Sequence, residues 1–456
     1  MAAPTNSLGL GVYVEVRQQI RAVQAVLRIN SSVVNDDTRR PERSETQNPG
    51  RVQVEIHPET LHFVTSSDDC RSVFSLAPIR ILPKTCNGLN WVEDEGLHMR
   101  LQLAGTREAG NQLEQDEARE KEELDFLRST ACVVVCGVCS GKVATNPCIF
   151  DRVLPLPSEN WREMSETWCC HGNEGTRTFA NRSLRPQERD CLVGNLYFLL
   201  HPSMLCKDAV LLTSQKGKQR SCGVAAEKSE TLHLLCRRCR SSLGEAVADV
   251  NIREGEEWQA VHSLKLFKHS IRMQPQGEDP ATKNVFNSYN TEFYLAKHLA
   301  SLSQMNTTFK FILEEESSRQ PYLLLWLLSS DTLLLTSDAS PVGYSDARFH
   351  GYQHQRACDV SNAAQCSCGE CGCIGDSEIK RQAVDAHRIV KVLYQTSWDE
   401  EGKRLHAQWS KDLSIMCIPL PKATCLELML LLATSHQHTP ASMRNMNGFK
   451  VGYLRY

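Results

Sequence analysis

Cys136-Gly137-Val138-Cys139 and Cys236-Arg237-Arg238-Cys239 decide how this sequence is read. Each Cys-x-x-Cys brings two thiolates to one face of a tight turn, and two such turns complete a tetrahedral four-cysteine zinc site. The pairs are much farther apart than in a compact zinc ribbon, so the chain between them must leave the metal and return. The second pair is followed by Leu243-Gly244-Glu245, where the chain is expected to leave its turn as a strand. Cys132 is a substitute ligand. A thioredoxin-like role is disfavoured, because neither pair sits in a βαβ pattern.

Composition frames this reading. The chain has 456 residues and 20 cysteines, with a formal charge of −3. That length favours two or three domains over one core. The balanced charge gives no basic footprint for direct nucleic-acid binding. Met1 to Gly11 lacks a charged segment followed by an apolar one, so no secretory signal is expected there. The longest apolar run, Tyr322 to Leu328, spans seven residues, too short to cross a membrane. A soluble, cytoplasmic protein is therefore expected, with the nucleus as a second location. In a reducing compartment so many cysteines point to metal or thiol chemistry rather than to disulfides.

The expected fold is α+β, strand-rich and mostly antiparallel, with a four-cysteine, zinc-stapled, loop-rich module in the middle. Val12, Val14 and Val16 alternate with other residues, as do Val52, Val54 and Ile56, and later Leu97, Met99, Leu101 and Leu103, so residues 1–105 form a strand-rich region. Residues 106–131 are dense in charge and form a solvated helix or a disordered linker. Residues 132–245 are the zinc module, and 246–456 a C-terminal α+β region. In that last region Phe309 to Leu313, Tyr322 to Leu328 and Thr332 to Thr336 read as consecutive strands, with Ser329-Ser330-Asp331 as a turn. Helices are expected from Thr291 to Leu302 and from Ala423 to Ser435.

Three further cysteine segments stand out. Cys366-Ser-Cys368-Gly-Glu-Cys371-Gly-Cys373, with Cys358 nearby, could hold Zn²⁺ or Cu(I), or be an oxidation-prone surface loop. In Trp168-Cys169-Cys170-His171, one cysteine at a loop tip could reach a metal held by another protein, or the segment could simply pack. Leu420-Pro421-Lys422-Ala423-Thr424-Cys425 places one thiol after a proline turn at the start of an apolar helix. A helix N-terminus favours a thiolate nucleophile. Leu426, Leu428, Met429, Leu430, Leu431 and Leu432 make the helix apolar almost all round, however, and residue chemistry alone favours an inert core cysteine.

Arg152-Val-Leu-Pro-Leu-Pro-Ser-Glu-Asn-Trp161, Trp168-Cys169-Cys170-His171, Arg185-Pro-Gln-Glu188 with Asp190-Cys191, and Leu420-Pro-Lys-Ala-Thr-Cys425-Leu-Glu-Leu together resemble the HECT-like E3 ubiquitin-protein ligase family. The resemblance runs over nearly the whole chain. It implies transfer of ubiquitin from an E2 conjugating enzyme to substrate lysines, the ligase's own among them, promoting degradation. By the same resemblance Cys425 is the thioester nucleophile, residues 418–456 are the HECT-like segment, and the E2 docks around Gln274 to Leu299. Leu420-Pro421 and Thr424-Cys425 match the Leu-Pro-x-x-x-Thr-Cys pattern of true HECT enzymes with a spacer one residue shorter, and no bilobal HECT body is expected. Cyclin B is an implied partner. The resemblance also implies an alternative, non-catalytic function. The tract 155–188 would insert into a metallo-β-lactamase-type RNA endonuclease, the nuclease subunit of the cleavage and polyadenylation specificity factor, where Cys170 would coordinate the partner's catalytic zincs.

Overall fold

The computed structural model describes residues 10–29, 53–64, 71–106, 112–144, 147–156, 184–214, 229–249, 257–276, 285–316, 318–337 and 379–456. The described residues form strand-rich, mostly antiparallel sheets with few helices. The chain divides into two compact units: Met1–Ala109 with Leu327–Leu393 and Leu432–Tyr456, and Gly110–Trp326 with Tyr394–Leu431.

The first unit is built on the strand Leu10–Arg17. It pairs antiparallel with Ala22–Ile29 on one side and, through Thr332 to Thr336, with the strand Pro321–Thr336 on the other. Val12, Val14 and Val16 point to one face and pack with Leu61, Phe63 and Phe74 from a four-stranded sheet. Tyr13 points to the other face and packs with Val26, Leu334, Ile389 and Tyr453. Both faces are thus covered. Glu15 shares the second face and is 1% exposed; Lys391 Nζ donates to its carboxylate at 2.6 Å. A charge buried this deeply persists because it is paired.

The second unit contains a seven-stranded sheet. Its strands run in the order Val210–Ser214, Ser229–Cys236, Ser242–Asp249, Val261–Phe267, Tyr197–Leu200, Asp190–Val193 and Arg152–Pro155, with only the last pair parallel. Cys132–Cys136 pairs separately with Ile271–Pro275. One apolar core joins Val134, Phe198, Leu200, Leu234, Leu264 and Phe286 to Leu124 and Leu127 of the helix Gln112–Ser129.

Three expectations change, and one open alternative is decided. The stretch read as loop-rich supplies six of this sheet's seven strands in whole or part, because short buried strands leave little periodicity to detect. The charged segment is the helix Gln112–Ser129 rather than a disordered linker. Ser329-Ser330-Asp331 is not a turn: Pro321–Thr336 is one strand of 16 residues. Its polar middle is satisfied by side chains, with Ser329 Oγ 2.7 Å from Asp331 Oδ1 and Thr332 Oγ1 2.9 Å from Ser329 Oγ. The helix Lys422–His438 is not buried all round. Cys425, Leu428 and Leu432 are sealed, whereas Leu426 is 44% and Leu430 67% exposed. Among the described residues no helix is long and apolar enough to cross a membrane.

Candidate functional site

Cys136 ends one strand and Cys236 another, so each thiol begins a turn anchored in a sheet. The two turns repeat one hydrogen-bond pattern. Cys136 N–H donates to Gly141 O at 2.8 Å and Ser140 N–H to Cys136 O at 3.0 Å; Cys236 N–H donates to Ser241 O at 2.9 Å and Arg240 N–H to Cys236 O at 2.8 Å. Ser140 and Arg240, each directly after the second cysteine, take left-handed φ values of 55° and 63°. That reversal brings the following residues back to the end of the strand and closes each turn. Gly137 allows the first turn to lie against its neighbour, since a Cβ there would meet Ser270 O at 2.9 Å.

The four sulfurs converge. Cys136 Sγ lies 3.6 Å from Cys239 Sγ, and Cys139 Sγ 3.7 Å from Cys236 Sγ. All four lie within 4.8 Å of one another. A tetrahedron with Zn–S bonds of about 2.3 Å has edges of roughly 3.8 Å, so the donor set fits zinc. Burial pushes the Cys236 thiol up to about 12. Burial acts on Cys239 in the same sense, but Ser241 hydroxyl and backbone hydrogen bonds and the neighbouring thiols bring it down to about 6. Ser241 Oγ sits 2.9 Å from Cys239 Sγ and 3.3 Å from Cys136 Sγ. The Ser241 contacts favour the thiolate at Cys239, the form in which a cysteine binds metal. Cys132 is not part of it: its sulfur lies 3.5 Å from Thr130 O, and burial raises its thiol to about 12.

Cys425 lies in the first turns of the helix Lys422–His438, as expected, but its surroundings favour the thiol over the thiolate. Its N–H already donates to Pro421 O at 3.0 Å, and the residue is 0% exposed. The sulfur faces the carbonyl oxygens of Glu314 and Leu420, each at 3.8 Å. Carbonyls accept a thiol proton and repel a thiolate. Burial first, and then the Glu315 charge, pushes this thiol up to about 11. A backbone N–H at the helix start opposes this shift, but burial and the Glu315 charge outweigh it. Cys417, in the strand Met416–Leu420, is the exposed cysteine among the described residues.

Cys170, with the rest of Trp168 to His171, and the Cys358 to Cys373 cluster lie outside the described residues. In the segment expected to receive an E2, the helix Thr291–Asn306 buries Phe293, Leu295, Ala296 and Leu299, so these side chains serve the core. Residues 277–284 of that segment are outside the described residues.

One polar constellation escaped sequence reading. Lys268 Nζ donates to Glu123 Oε2 at 2.5 Å, and Tyr289 Oη donates to Glu123 Oε1 at 2.5 Å. Both charged side chains are 2% exposed. Burial lowers the lysine below its ordinary range, with Glu123 opposing that shift. The three line a cleft of about 350 Å³ with Arg119, Phe293 and Lys297. No local signal links Glu123, Lys268 and Tyr289 along the chain; only the tertiary fold joins them.

A family profile described as HECT-like ubiquitin-conjugating enzyme (E2)-binding matches residues 15–451. The chain belongs to this family. It is similar to an E3 ubiquitin-protein ligase of Mus musculus, 28% identical over 409 residues, which is 89% of this chain and 90% of the mouse protein. The Homo sapiens protein of the same name is 28% identical over 413 residues, 89% of this chain and 91% of its own length. The HECT-like assignment therefore covers both structural units, and it indicates an E3 ubiquitin ligase-like protein.

Proposed function

We propose that this chain is a ubiquitin ligase that binds a charged E2 and promotes transfer of its ubiquitin to substrate amines, lysines of the ligase among them. The family match across residues 15–451, whose description is E2 binding, carries this reading. Docking of the E2 around Gln274 to Leu299 belongs to the same proposal.

The surroundings of Cys425 bear on the route. A thiol near 11 leaves about one molecule in ten thousand ionised at pH 7, and a 0% exposed sulfur cannot meet a thioester. This supports direct attack by the substrate amine on the E2 thioester, with Cys425 as a packing residue. The Leu420-Pro421 and Thr424-Cys425 match supports a second reading, transthiolation onto Cys425, which requires the helix start to move away from Glu314. An E2 carrying labelled ubiquitin, incubated with the full chain and resolved without reductant, separates these. Direct transfer gives faster discharge to lysine with no thiol-sensitive adduct on the ligase. A thiol-sensitive adduct lost in Cys425→Ala but retained in Cys417→Ala would establish the covalent route. No acceleration at all would remove the ligase reading.

Cys136, Cys139, Cys236 and Cys239 are proposed to hold one structural Zn²⁺, which would fix the two turns that end their strands. Native mass spectrometry should show one zinc fewer when Cys236 and Cys239 are both replaced by serine than in the wild-type chain. An unchanged metal count would refute the assignment.

A further inference from the structure

A second group of ligand atoms gathers on the hairpin Gln53–Ile56 and Thr60–Val64, away from the four cysteines in sequence and in unit. Glu55 and His62 are direct cross-strand partners. His57 follows Glu55 by two residues, and its N–H donates to Thr60 O at 2.9 Å where the hairpin closes. Strand alternation therefore puts Glu55, His57 and His62 on one face. Leu61 and Phe63, with Val54 and Ile56, point the other way into the core. The placement is fixed by the sheet rather than by mobile side chains.

The distances are those of metal ligands more than of hydrogen bonds. Glu55 Oε2 lies 3.5 Å from His57 Nε2 and 3.6 Å from His62 Nδ1, and the three ligand atoms lie within 4.8 Å of one another. An ordinary N–H···O bond is about 2.9 Å. Two ligands at about 2.1 Å from one tetrahedral ion stand roughly 3.4 Å apart. A second, independent observation concerns the far nitrogen of His62: its Nε2 is 2.8 Å from Thr60 Oγ1. With an ion bound, Nε2–H would donate to that hydroxyl while Nδ1, on the side of Glu55, ligates the metal. Metal-binding histidines are held in this way through their second ring nitrogen.

We propose that Glu55, His57 and His62 form a second metal site, taking a divalent ion of the zinc class. Imidazole and carboxylate donors suit Zn²⁺, and three protein ligands leave one position for water or a partner's side chain. The carboxylate is 34% and His57 47% exposed, so the ion would exchange more readily than one held by four thiolates. His62, at 18% exposed, anchors the set.

The test uses the full chain with the four-cysteine site already loaded with Zn²⁺, titrated with Co²⁺ as the probe. One further equivalent should bind with visible d–d bands and without the sulfur-to-cobalt charge transfer that thiolate sites give. His57→Ala, at the most exposed position, should weaken this equivalent at least about tenfold while leaving thermal stability unchanged; His62→Ala and Glu55→Gln should do the same to binding. Thr60→Val keeps all three ligands and should weaken binding by about tenfold through the lost support. The proposal falls if no sulfur-free equivalent appears, or if it binds His57→Ala and His62→Ala as tightly as the wild type.

Discussion

Cys239 and Cys425 carry the same side chain and differ in what faces the sulfur. Burial raises both thiols, but at the first the Ser241 hydroxyl and backbone N–H and the neighbouring thiols bring it down to about 6, whereas at the second burial and then the Glu315 carboxylate push it up to about 11. The Cys-x-x-Cys spacing made the first legible in the sequence, since local turn chemistry sets most of its geometry. The surroundings of Cys425 come from Glu314 and Glu315, more than a hundred residues away in the chain, and no motif announces them. Ser241 should act as a positioning residue. Ser241→Ala retains all four cysteines yet removes contacts at 2.9 and 3.3 Å, and should weaken zinc by about tenfold in chelator competition. His233 offers a pH test. Its ring lies 3.1 Å from Glu316, and the hydrogen bond to that carboxylate raises its pKa above the ordinary 6.5. The pair's contribution is complete below the unfolded pKa and fades as pH rises through the raised folded one. The stability gap between wild type and His233→Gln should therefore be larger at about pH 6 than at about pH 9; equal gaps would show that the pair contributes nothing.

At the scale of elements, alternation revealed that Leu10–Arg17 is a strand but not that both of its faces are covered. Val12, Val14 and Val16 were legible as one face, whereas the sequence cannot show Ile389, Tyr453 and Lys391 arriving over Tyr13 and Glu15 on the other. Lys391→Met should cost about 3–5 kcal/mol by leaving Glu15 buried without its lysine. Adding Glu15→Leu should recover most of that loss, read as hydrogen-exchange protection in Leu10–Arg17; a double variant no better than the single would contradict the pairing. Helix starts were more legible, with Thr291 placed where its helix begins and Ala423 within one residue. Asn290 Oδ1 accepts from Phe293 N–H at 2.8 Å, so Asn290→Ala should destabilise the helix Thr291–Asn306 by about 1 kcal/mol, seen as faster exchange in its first turn. Asp399 caps Glu400–Trp409, a helix the sequence reading did not anticipate, through Gly402 N–H at 2.6 Å.

At the scale of the molecule, the strand-rich character and the pairing of distant cysteines could be read from patterning, whereas the division into units could not. Each unit gathers segments from separated parts of the chain, and local patterns carry no record of which segments meet. The family assignment indicates a ubiquitin ligase-like protein, and the two proposed routes differ in what they require of Cys425. The most direct measurement is the rate of ubiquitin discharge from a charged E2 to free lysine, with wild-type chain and with Cys425→Ala. A ligase that works without a stop on Cys425 predicts clear acceleration by both proteins, with rates within about twofold of each other. Loss of acceleration in a folded Cys425→Ala chain, together with loss of a thiol-sensitive ubiquitin adduct seen in the wild type, would contradict it.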